Sequence, residues 1–343
     1  MKVMHYHFGK EGGAERFFVN LVNALHDRGI EQRMLIRPDR SWRKDLEGCG
    51  VVYEGVFRRV SLSRFILQAR MNRVLREFQP DVIMAWQLRA SRFMPLWKDS
   101  FRISRLGDYP EHLGYYTNVQ TLVCITPDMA ESVRKMGWTR DVEVITNFTR
   151  AKPVTAIQRS ELQTPENAFV VVGMGRFVPR KGFDHLIKAV RDVQNAYLWL
   201  LGDGPERENL IKLASDLGIS DRVRFPGWKT NAYGYLAAAD VFAITSLHEP
   251  LGNVCFEGWG AGKPTIAARA EGPSWVMTNE VDALMVDCAD AAGLTVAIER
   301  LRNDPDLRRR LIDGGQTTLQ NRFSEEVISN AYIDLFRRGV GSP

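Results

Sequence analysis

The chain has 343 residues, of which 45% are hydrophobic and 25% are charged. This composition is ordinary for a soluble globular protein, and the length is sufficient for two domains with full cores. No apolar run is long enough to span a bilayer, and the start lacks a signal-peptide pattern, so we expect neither feature. Four cysteines without metal-ligand spacing are expected to be reduced thiols: Cys49, Cys124, Cys255 and Cys288.

The net charge of +5 is unevenly distributed along the chain. Residues 1–150 carry 24 Lys and Arg against 17 Asp and Glu, whereas residues 151–343 carry 22 against 24. The first half is therefore the basic half. A basic surface can meet anionic lipid, phosphorylated sugars or nucleic acid, or it can be only a solvated face.

The first half alternates short apolar strands with helical patterns. The predicted strands are 2–7, 32–36, 82–86, 101–106, 122–125 and 142–145, and the predicted helices are 14–28, 64–78 and 129–136. A glycine follows the first and the third of these helices, which is a helix-ending signal. Such alternation indicates a mainly parallel, doubly wound sheet.

A polar, proline-containing bridge over residues 150–167 is predicted to be a linker, after which the alternation restarts. The predicted strands of the second series are 169–173, 197–201, 223–225, 241–245, 265–268 and 284–286. Its predicted helices are 184–190, 206–217, 233–239, 254–261, 290–302, 305–320 and 324–338. The sequence thus predicts two domains, 1–150 and 151–323.

Two carboxylates stand eight positions apart in the stretch from Glu249 to Glu257, across a turn that contains proline and glycine. The turn follows an apolar strand and leads into a helical pattern, so Glu249 is expected at the carboxyl end of a parallel sheet, where ligands bind. Backbone N–H groups around Leu251, Gly252, Asn253 and Val254 can meet an anion. The two carboxylates can accept hydrogen bonds from sugar and ribose hydroxyls.

A cationic loop follows the first strand of the second series. Gly175 and Arg176 begin it, and Lys181 comes five residues after that arginine, with Arg180 between them. Arginine offers forked donors and lysine a compact charge, so the loop suits a diphosphate whose negative charge grows as it leaves a sugar. The alternative interpretation is an exposed basic turn.

Three further glycine-containing turns follow strands. Gly12 and Gly13 lie in a loop that opens the first helix, which suits anions. The turn with Gly204 either approaches a ligand closely or only turns sharply into a helix. Trp228 can stack on a nucleotide base or lie on the surface or in the core.

These motifs, in this order and spacing, resemble the retaining nucleotide-sugar glycosyltransferases of family 4, especially those of the bacterial envelope and lipopolysaccharide. The resemblance implies the GT-B fold, in which two Rossmann-like doubly wound domains face each other across a cleft. The first domain would bind the acceptor and be joined by a last helix over about 324–343, and the second would bind the donor.

The resemblance also assigns residue roles. Arg176 and Lys181 would hold the diphosphate, Glu249 the sugar and Glu257 the ribose. Further donor contacts would come from Gly12, Gly13, Gly175, Gly204, Trp228, Leu251, Gly252, Asn253 and Val254. No Asp-x-Asp motif stands at a suitable strand end, so metal independence is expected, with a UDP-sugar as co-substrate and no other cofactor.

The chain departs from the family where many members place a histidine, after the strand at 101–106. Gly107 and Asp108 stand there instead, and His112 follows slightly later. Asp108 or His112 can substitute in contacting the sugar or the acceptor. A single loop histidine is, however, more often without a role.

A basic amphipathic segment runs from Arg58 to Arg76. It either packs an apolar face on the sheet and exposes its arginines, or it touches an anionic inner-membrane surface, assisted by Trp42 or Phe57. The second interpretation fits a cytoplasmic enzyme that is peripheral on the inner membrane and uses a glycan or lipid-linked acceptor.

The predicted function is transfer of a hexose from a UDP-sugar to a glycan or lipid-linked acceptor of the bacterial envelope, with retention of configuration. No nucleic-acid partner is expected. Two alternatives remain: a nucleotide-sugar 2-epimerase of the same fold, and a non-catalytic protein that binds anionic lipid or nucleic acid through its basic half. The epimerase would need general acid–base groups around the sugar, for which the first half offers few candidates.

Overall fold

The computed structural model of the protein describes residues 1–10, 12–55, 62–150, 155–229 and 231–341. Within these ranges, the side chains of residues 62–65 are not described. Phe57, Arg58 and Arg59 of the basic segment therefore lie outside the described residues, as do the side chains of Arg64 and Phe65.

The chain divides into two compact units, of which the first comprises Met1–Phe148 and the chain from Ser324 onward. Its described strands form one parallel sheet in the order β3-β2-β1-β4-β5-β6-β7. The strands are β1 (Lys2–His7), β2 (Glu31–Ile36), β3 (Val51–Glu54), β4 (Val82–Trp86), β5 (Phe101–Arg105), β6 (Thr121–Cys124) and β7 (Asp141–Val144). The helices are α1 (Gly13–His26), α2 (Leu62–Phe78), α3 (Gln87–Ser91), α4 (Pro127–Lys135) and, at the end of the chain, α12 (Glu325–Gly341).

The second unit comprises Thr149–Phe323. Its described strands form a parallel sheet in the order β10-β9-β8-β11-β12-β13. They are β8 (Phe169–Met174), β9 (Ala196–Leu201), β10 (Val223–Gly227), β11 (Val241–Ile244), β12 (Thr265–Ala268) and β13 (Leu284–Val286). The helices are α5 (Phe183–Arg191), α6 (Arg207–Asp216), α7 (Ala232–Ala238), α8 (Val254–Gly260), α9 (Glu271–Val276), α10 (Ala291–Asn303) and α11 (Pro305–Arg322).

Both sheets reverse their strand order at an internal point, and this arrangement positions the ligand edges. In the second sheet, β8 leads outward through β9 and β10 on one side, and β11 leads through β12 and β13 on the other. That is the doubly wound order, and ligands bind outside the carboxyl ends of the strands at the reversal. The reversal lies between β8 and β11, so a ligand site is expected at the loops that follow these two strands.

Central strands of both sheets are buried on both faces, as parallel sheets covered by helices require. All five residues of β4, from Val82 to Trp86, are buried, as are all four of β11. This explains why these strands read as continuous apolar runs. The predicted pair of parallel α/β domains is confirmed at the level of the two sheets.

The boundary between the units falls at Phe148, two residues before the predicted one. Ile145 and Phe148 are buried in the core of the first unit, whereas the Thr149 hydroxyl lies 3.1 Å from the Tyr233 hydroxyl of the second. Part of the predicted linker also belongs to the second unit. Arg159 there forms an ion pair of 3.0 Å with Asp240, and so ties the segment to β11.

The last helix, α12, packs on the first unit against α1 and β5. Its buried face includes Ile328, Tyr332 and Phe336, which join one core with Phe17 of α1. The return of the chain end therefore completes the core of the first unit.

Among the described strands and α-helices, three have no counterpart among the sequence predictions: β3, α3 and α9. The two helices have five and six residues, which is too short for a helical period to be recognised. Strand β3 has only four residues and lies at the sheet edge. It contains a glutamate and its Val51 is exposed, so its sequence does not show the apolar pattern of a strand. Over the described residues, no helix combines the length and the apolar character needed to cross a membrane.

The packing of α12 gives a first prediction. Phe336 is fully buried, so Phe336→Ala should destabilise the first unit by about 3–5 kcal/mol. Val340 lies one turn later and is 47% exposed, so Val340→Ala should change stability by no more than about 0.5 kcal/mol. Urea unfolding of both variants measures the difference, and equal effects would show that α12 does not close this core.

Candidate active site

The loops after β8 and β11 meet at the carboxyl edge of the second sheet. The loop after β8 carries Gly175, Arg176 and Lys181, and the loop after β11 carries Glu249. Because these strands are neighbours in a parallel sheet, both loops leave the same edge. Residues 68 positions apart in sequence are thereby brought together.

The contact between the two loops is an ion pair in which Lys181 Nζ donates to Glu249 Oε2. The side chains are only 13% and 9% exposed, so water screens this pair weakly. The Ser246 hydroxyl also donates to Oε2, at 3.2 Å. Among the described residues, none donates to Oε1, so this oxygen can still accept hydrogen bonds from a ligand.

Backbone contacts hold the loops so that this pair can form. The Thr245 hydroxyl donates to the Lys181 carbonyl at 2.9 Å, and the Leu247 N–H donates to the Arg180 carbonyl at 2.8 Å. Gly182 has φ of 63°, and a Cβ there would lie 2.2 Å from the Thr245 carbonyl oxygen. Only glycine therefore fits between the loops at this position.

Glu249 is held on its other side by the start of α9. Its N–H donates to Glu271 Oε2 at 3.1 Å, and its carbonyl accepts from the Gly272 N–H at 2.8 Å. The other Glu271 oxygen lies 2.8 Å from His248 Nδ1. Burial acts to raise the pKa of Glu271, but these hydrogen bonds together lower it, so the carboxylate stays charged as it positions Glu249.

The pKa of the buried Cys255 thiol is affected by the charged residues of this region. Burial raises the pKa of Cys255 far above its usual range, and the carboxylates of Glu249 and Glu257 act in the same direction. Lys181 opposes them. Lys181 and Glu249 are in contact, and Glu257 lies in the first turn of α8.

A small cavity opens beside the ion pair. It is lined by the end of β8, the end of β11 and the loops that follow, and its wall includes Met174, Lys181, Ser246 and Val254. No described residue accepts a hydrogen bond from the N–H groups of Leu251, Gly252 or Val254. Lys181 and Val254 thus bring a cation and an amide donor without a described acceptor to this cavity, and both groups suit a phosphate oxygen.

Arg176, Gly204 and Trp228, which were also predicted to contact the donor, do not line this cavity. Arg176 is exposed in the loop after β8, and no described contact joins its side chain to Lys181 or Glu249. Gly204 packs tightly against that loop, since a Cβ there would lie 2.3 Å from the Phe177 carbonyl oxygen. Trp228 follows the edge strand β10 and is 65% exposed. Gly204 thus packs tightly against this loop, and its predicted contact with the donor stays a prediction.

The predicted residues of the first unit all lie on its surface. Gly12 and Gly13 are exposed at the start of α1, and Asp108 and His112 are exposed in the segment after β5. Asp108 Oδ1 accepts a hydrogen bond of 2.9 Å from the N–H of the next residue. The roles of these four residues stay predictions.

The glycine that the packing of the first loop requires is Gly9. A Cβ there would lie 1.7 Å from Glu15 Oε1 and 2.7 Å from the His7 ring. Burial, with the nearby Arg105 charge, lowers the pKa of His7 to about 3, so the ring is neutral. Burial likewise lowers the pKa of Arg105, whose Nη2 donates to Asn147 Oδ1.

Sequence reasoning missed Ser246, His248 and Glu271, which support Glu249. Ser246 and His248 flank a recognised motif, but Glu271 stands 22 residues after Glu249, and only the adjacency of β11 and β12 brings it there. Its position three residues after the predicted strand 265–268 was the available signal. The described residues contain no group of three or more His, Cys, Asp or Glu side chains that could hold a metal ion, and metal independence stays a prediction.

Comparison with protein families matches two regions of the chain. Residues 154–318 match the family described as glycosyl transferases group 1. Residues 12–106 match the family described as glycosyl transferase 4-like domain. The first match contains both loops that form the ion pair.

Two curated relatives from Rhizobium meliloti (strain 1021) match nearly the full chain. The lipopolysaccharide core biosynthesis glycosyltransferase LpsD is 74% identical, over 99% of this chain and 99% of its own. The lipopolysaccharide core biosynthesis glycosyltransferase LpsE is 53% identical, over 98% of each. Among solved structures, Anabaena HepE in complex with UDP has a TM-score of 0.83 at 22% identity and covers 98% of this chain and 100% of its own, a likeness that shows the fold.

The junction at Gly182 gives a prediction with a matched control in the same unit. Gly182 and Gly218 have nearly the same left-handed φ, 63° and 69°, but a Cβ at Gly218 would meet nothing within 4 Å. Gly218→Ala should therefore cost only the conformational strain, about 1–2 kcal/mol. Gly182→Ala should cost more, because the loops must move apart.

Thermal unfolding measures both costs, and UDP binding to the folded variants measures the effect on the site. We expect weaker UDP binding only in Gly182→Ala. If both variants bind UDP as the parent does, the junction does not position the site.

Proposed function

The chain belongs to the group 1 glycosyltransferases, and from this premise we propose that it transfers a hexose from UDP-hexose to a lipopolysaccharide core glycan with retention of configuration. Family membership decides against the non-catalytic alternative and favours transfer over epimerisation. The observation that carries the proposal is the Lys181–Glu249 pair at the reversal of the second sheet.

The assignments of the donor and of the acceptor are supported by different similar proteins. LpsD and LpsE are lipopolysaccharide core biosynthesis glycosyltransferases, and they match over nearly their full lengths. Anabaena HepE, which shares the fold, was crystallised with UDP. We therefore assign UDP as the nucleotide and a core glycan as the acceptor.

In the proposed reaction, the bond between the anomeric carbon and the diphosphate oxygen breaks, and a bond from that carbon to an acceptor hydroxyl oxygen forms on the same face. The departing phosphate oxygen takes the hydroxyl proton. Atoms and charge balance without an enzymic nucleophile. The chain must therefore stabilise the leaving diphosphate and hold the sugar.

Lys181 is the group best placed to stabilise the leaving diphosphate. An ammonium has three donors, so Lys181 can keep its contact with Glu249 and also donate to a phosphate oxygen. Negative charge grows on that oxygen as the bond breaks, so a fixed cation stabilises the transition state more than the ground state. Arg176 would add a second cation from the same loop, and the amides of Leu251 to Val254 would assist.

Glu249 is assigned to the sugar and Glu257 to the ribose. Oε2 of Glu249 is occupied by Lys181 and Ser246, which leaves Oε1 to accept from sugar hydroxyls. Lys181 also compensates the Glu249 charge, so the carboxylate does not repel the incoming diphosphate. Glu257 lies in the first turn of α8 within electrostatic range of the same buried thiol.

We further propose that catalysis is independent of metal ions and takes place in the cytoplasm at the inner-membrane surface. Lys181 and Arg176 would supply the positive charge that a metal ion supplies in other transferases. The segment from Arg58 to Arg76 would touch anionic lipid, and its first part lies outside the described residues. Transfer that is unchanged by a chelator would fit this assignment.

The assignment of the two charged residues predicts different defects. Lys181→Ala should weaken UDP binding and lower transfer, because the cation beside the diphosphate is lost. Glu249→Gln should lower transfer by about 100-fold or more while UDP binding changes little, because this residue contacts the sugar. Steady-state transfer from UDP-hexoses and UDP titration by calorimetry measure the two effects.

Lys212→Ala is the matched control, because Lys212 is 73% exposed and pairs with Asp216 on the surface of the same unit. It should behave as the parent enzyme in both assays. Near-normal turnover of Glu249→Gln, with thermal stability retained, would remove Glu249 from the reaction and contradict the proposed function.

A further inference from the structure

Three arginines stand at the carboxyl edge of the first sheet. Arg37 follows β2 directly, Arg40 lies in the same turn, and Arg89 is in α3, which begins where β4 ends. The strand register sets Ile36 and Trp86 level with His7 on either side of β1. The ends of β2 and β4 are therefore two strand spacings, about 10 Å, apart.

The charges of these arginines act on one another. Burial lowers the pKa of Arg37, and the positive charges of Arg89 and Arg40 lower it further. Arg37 and Arg40 are half-buried, and Arg89 is exposed. The strand register and these positions place the three cations at one edge of the first sheet, where like charges repel.

The described part of the chain supplies no carboxylate to these cations. None of the three forms an ion pair with a described residue, and Asp39, which stands between two of them, is exposed and pairs with neither. The contrast is Arg43, which lies 2.8 Å from Glu54 and 3.7 Å from Glu47. Among the described residues, Arg43 is thus neutralised by carboxylates, whereas the three clustered arginines have no carboxylate partner, and Arg40 Nε donates only to the Pro38 carbonyl at 3.0 Å.

The position of the three arginines is one at which a substrate can bind. It lies at the carboxyl edge of a doubly wound sheet, beside the central strand β1, and this is the edge at which such sheets bind ligands. Guanidinium groups donate paired hydrogen bonds to phosphate and carboxylate oxygens. An anion placed among three arginines also relieves their mutual repulsion.

Resting on the proposed function, we propose that Arg37, Arg40 and Arg89 bind a phosphate or carboxylate group of the acceptor glycan. The acceptor is then an acidic sugar rather than a neutral one. The cluster sets acceptor specificity and takes no part in holding the donor.

The test uses glucose 6-phosphate as the probe, titrated by calorimetry into the full-length protein with saturating UDP. UDP occupies the donor site, so phosphate binding there does not contribute. We expect the parent protein to bind glucose 6-phosphate more tightly than glucose. The double variant Arg37→Gln/Arg89→Gln should bind it at least about tenfold more weakly, since each charge-assisted contact is lost.

Arg43→Gln is the matched control, because it removes an equal charge from an arginine that already has carboxylate partners. It should leave the affinity for glucose 6-phosphate unchanged. The single variant Arg89→Gln changes only an exposed side chain, so it reports on binding even if the double variant does not fold. Unchanged affinity in Arg89→Gln and in a folded double variant would overturn the proposal, as would absence of binding by the parent.

A second arm separates the acceptor from lipid phosphate. Sedimentation with phosphatidylglycerol vesicles should be the same for the parent and the double variant. If the double variant loses vesicle binding but keeps its affinity for glucose 6-phosphate, the arginines serve a membrane and the proposal is wrong. UDP affinity reports on the proposed function separately, because failure of UDP to bind the parent contradicts that function, whereas failure of this inference leaves UDP binding intact.

Discussion

The largely buried ion pair between Lys181 and Glu249 is the interaction on which the proposed donor site depends. It joins the loops after two adjacent strands, and removing one partner would leave the other charge poorly solvated, at a cost of about 3–5 kcal/mol for a buried pair. The surrounding structure positions this pair. Gly182 allows the loops after β8 and β11 to approach each other, and Glu271 accepts a hydrogen bond from the backbone N–H of Glu249. The site is therefore largely formed before a ligand arrives.

Much of the fold was predictable from the sequence, because the strands that build it are apolar runs between turn signals. The strands from Phe169 to Met174 and from Val241 to Ile244 were predicted to within one residue. The family, the GT-B fold and the enzyme class, a hexosyltransferase, are confirmed. Lys181 and Glu249 could be singled out because each stands next to glycine or proline in the loop after such a strand, and their roles in binding stay predictions.

The rest depended on tertiary structure. Glu271 supports Glu249 from 22 residues away, and only the neighbouring positions of β11 and β12 show this. The sequence did not show that Gly204 packs tightly against the backbone of Phe177, because this close approach arises only in the folded structure. The cluster that contains Arg37 and Arg89 was also not predicted. Net charge gives no information about which arginines have carboxylate partners.

The central claim is that the diphosphate of the donor binds where Lys181 and Glu249 meet. Hydrogen exchange of the backbone amides, measured with and without saturating UDP, tests this claim most directly. The account predicts slower exchange in peptides that cover residues 175–183 and 246–257, at the two loops of the ion pair. Slower exchange elsewhere, with both loops unchanged, would contradict it.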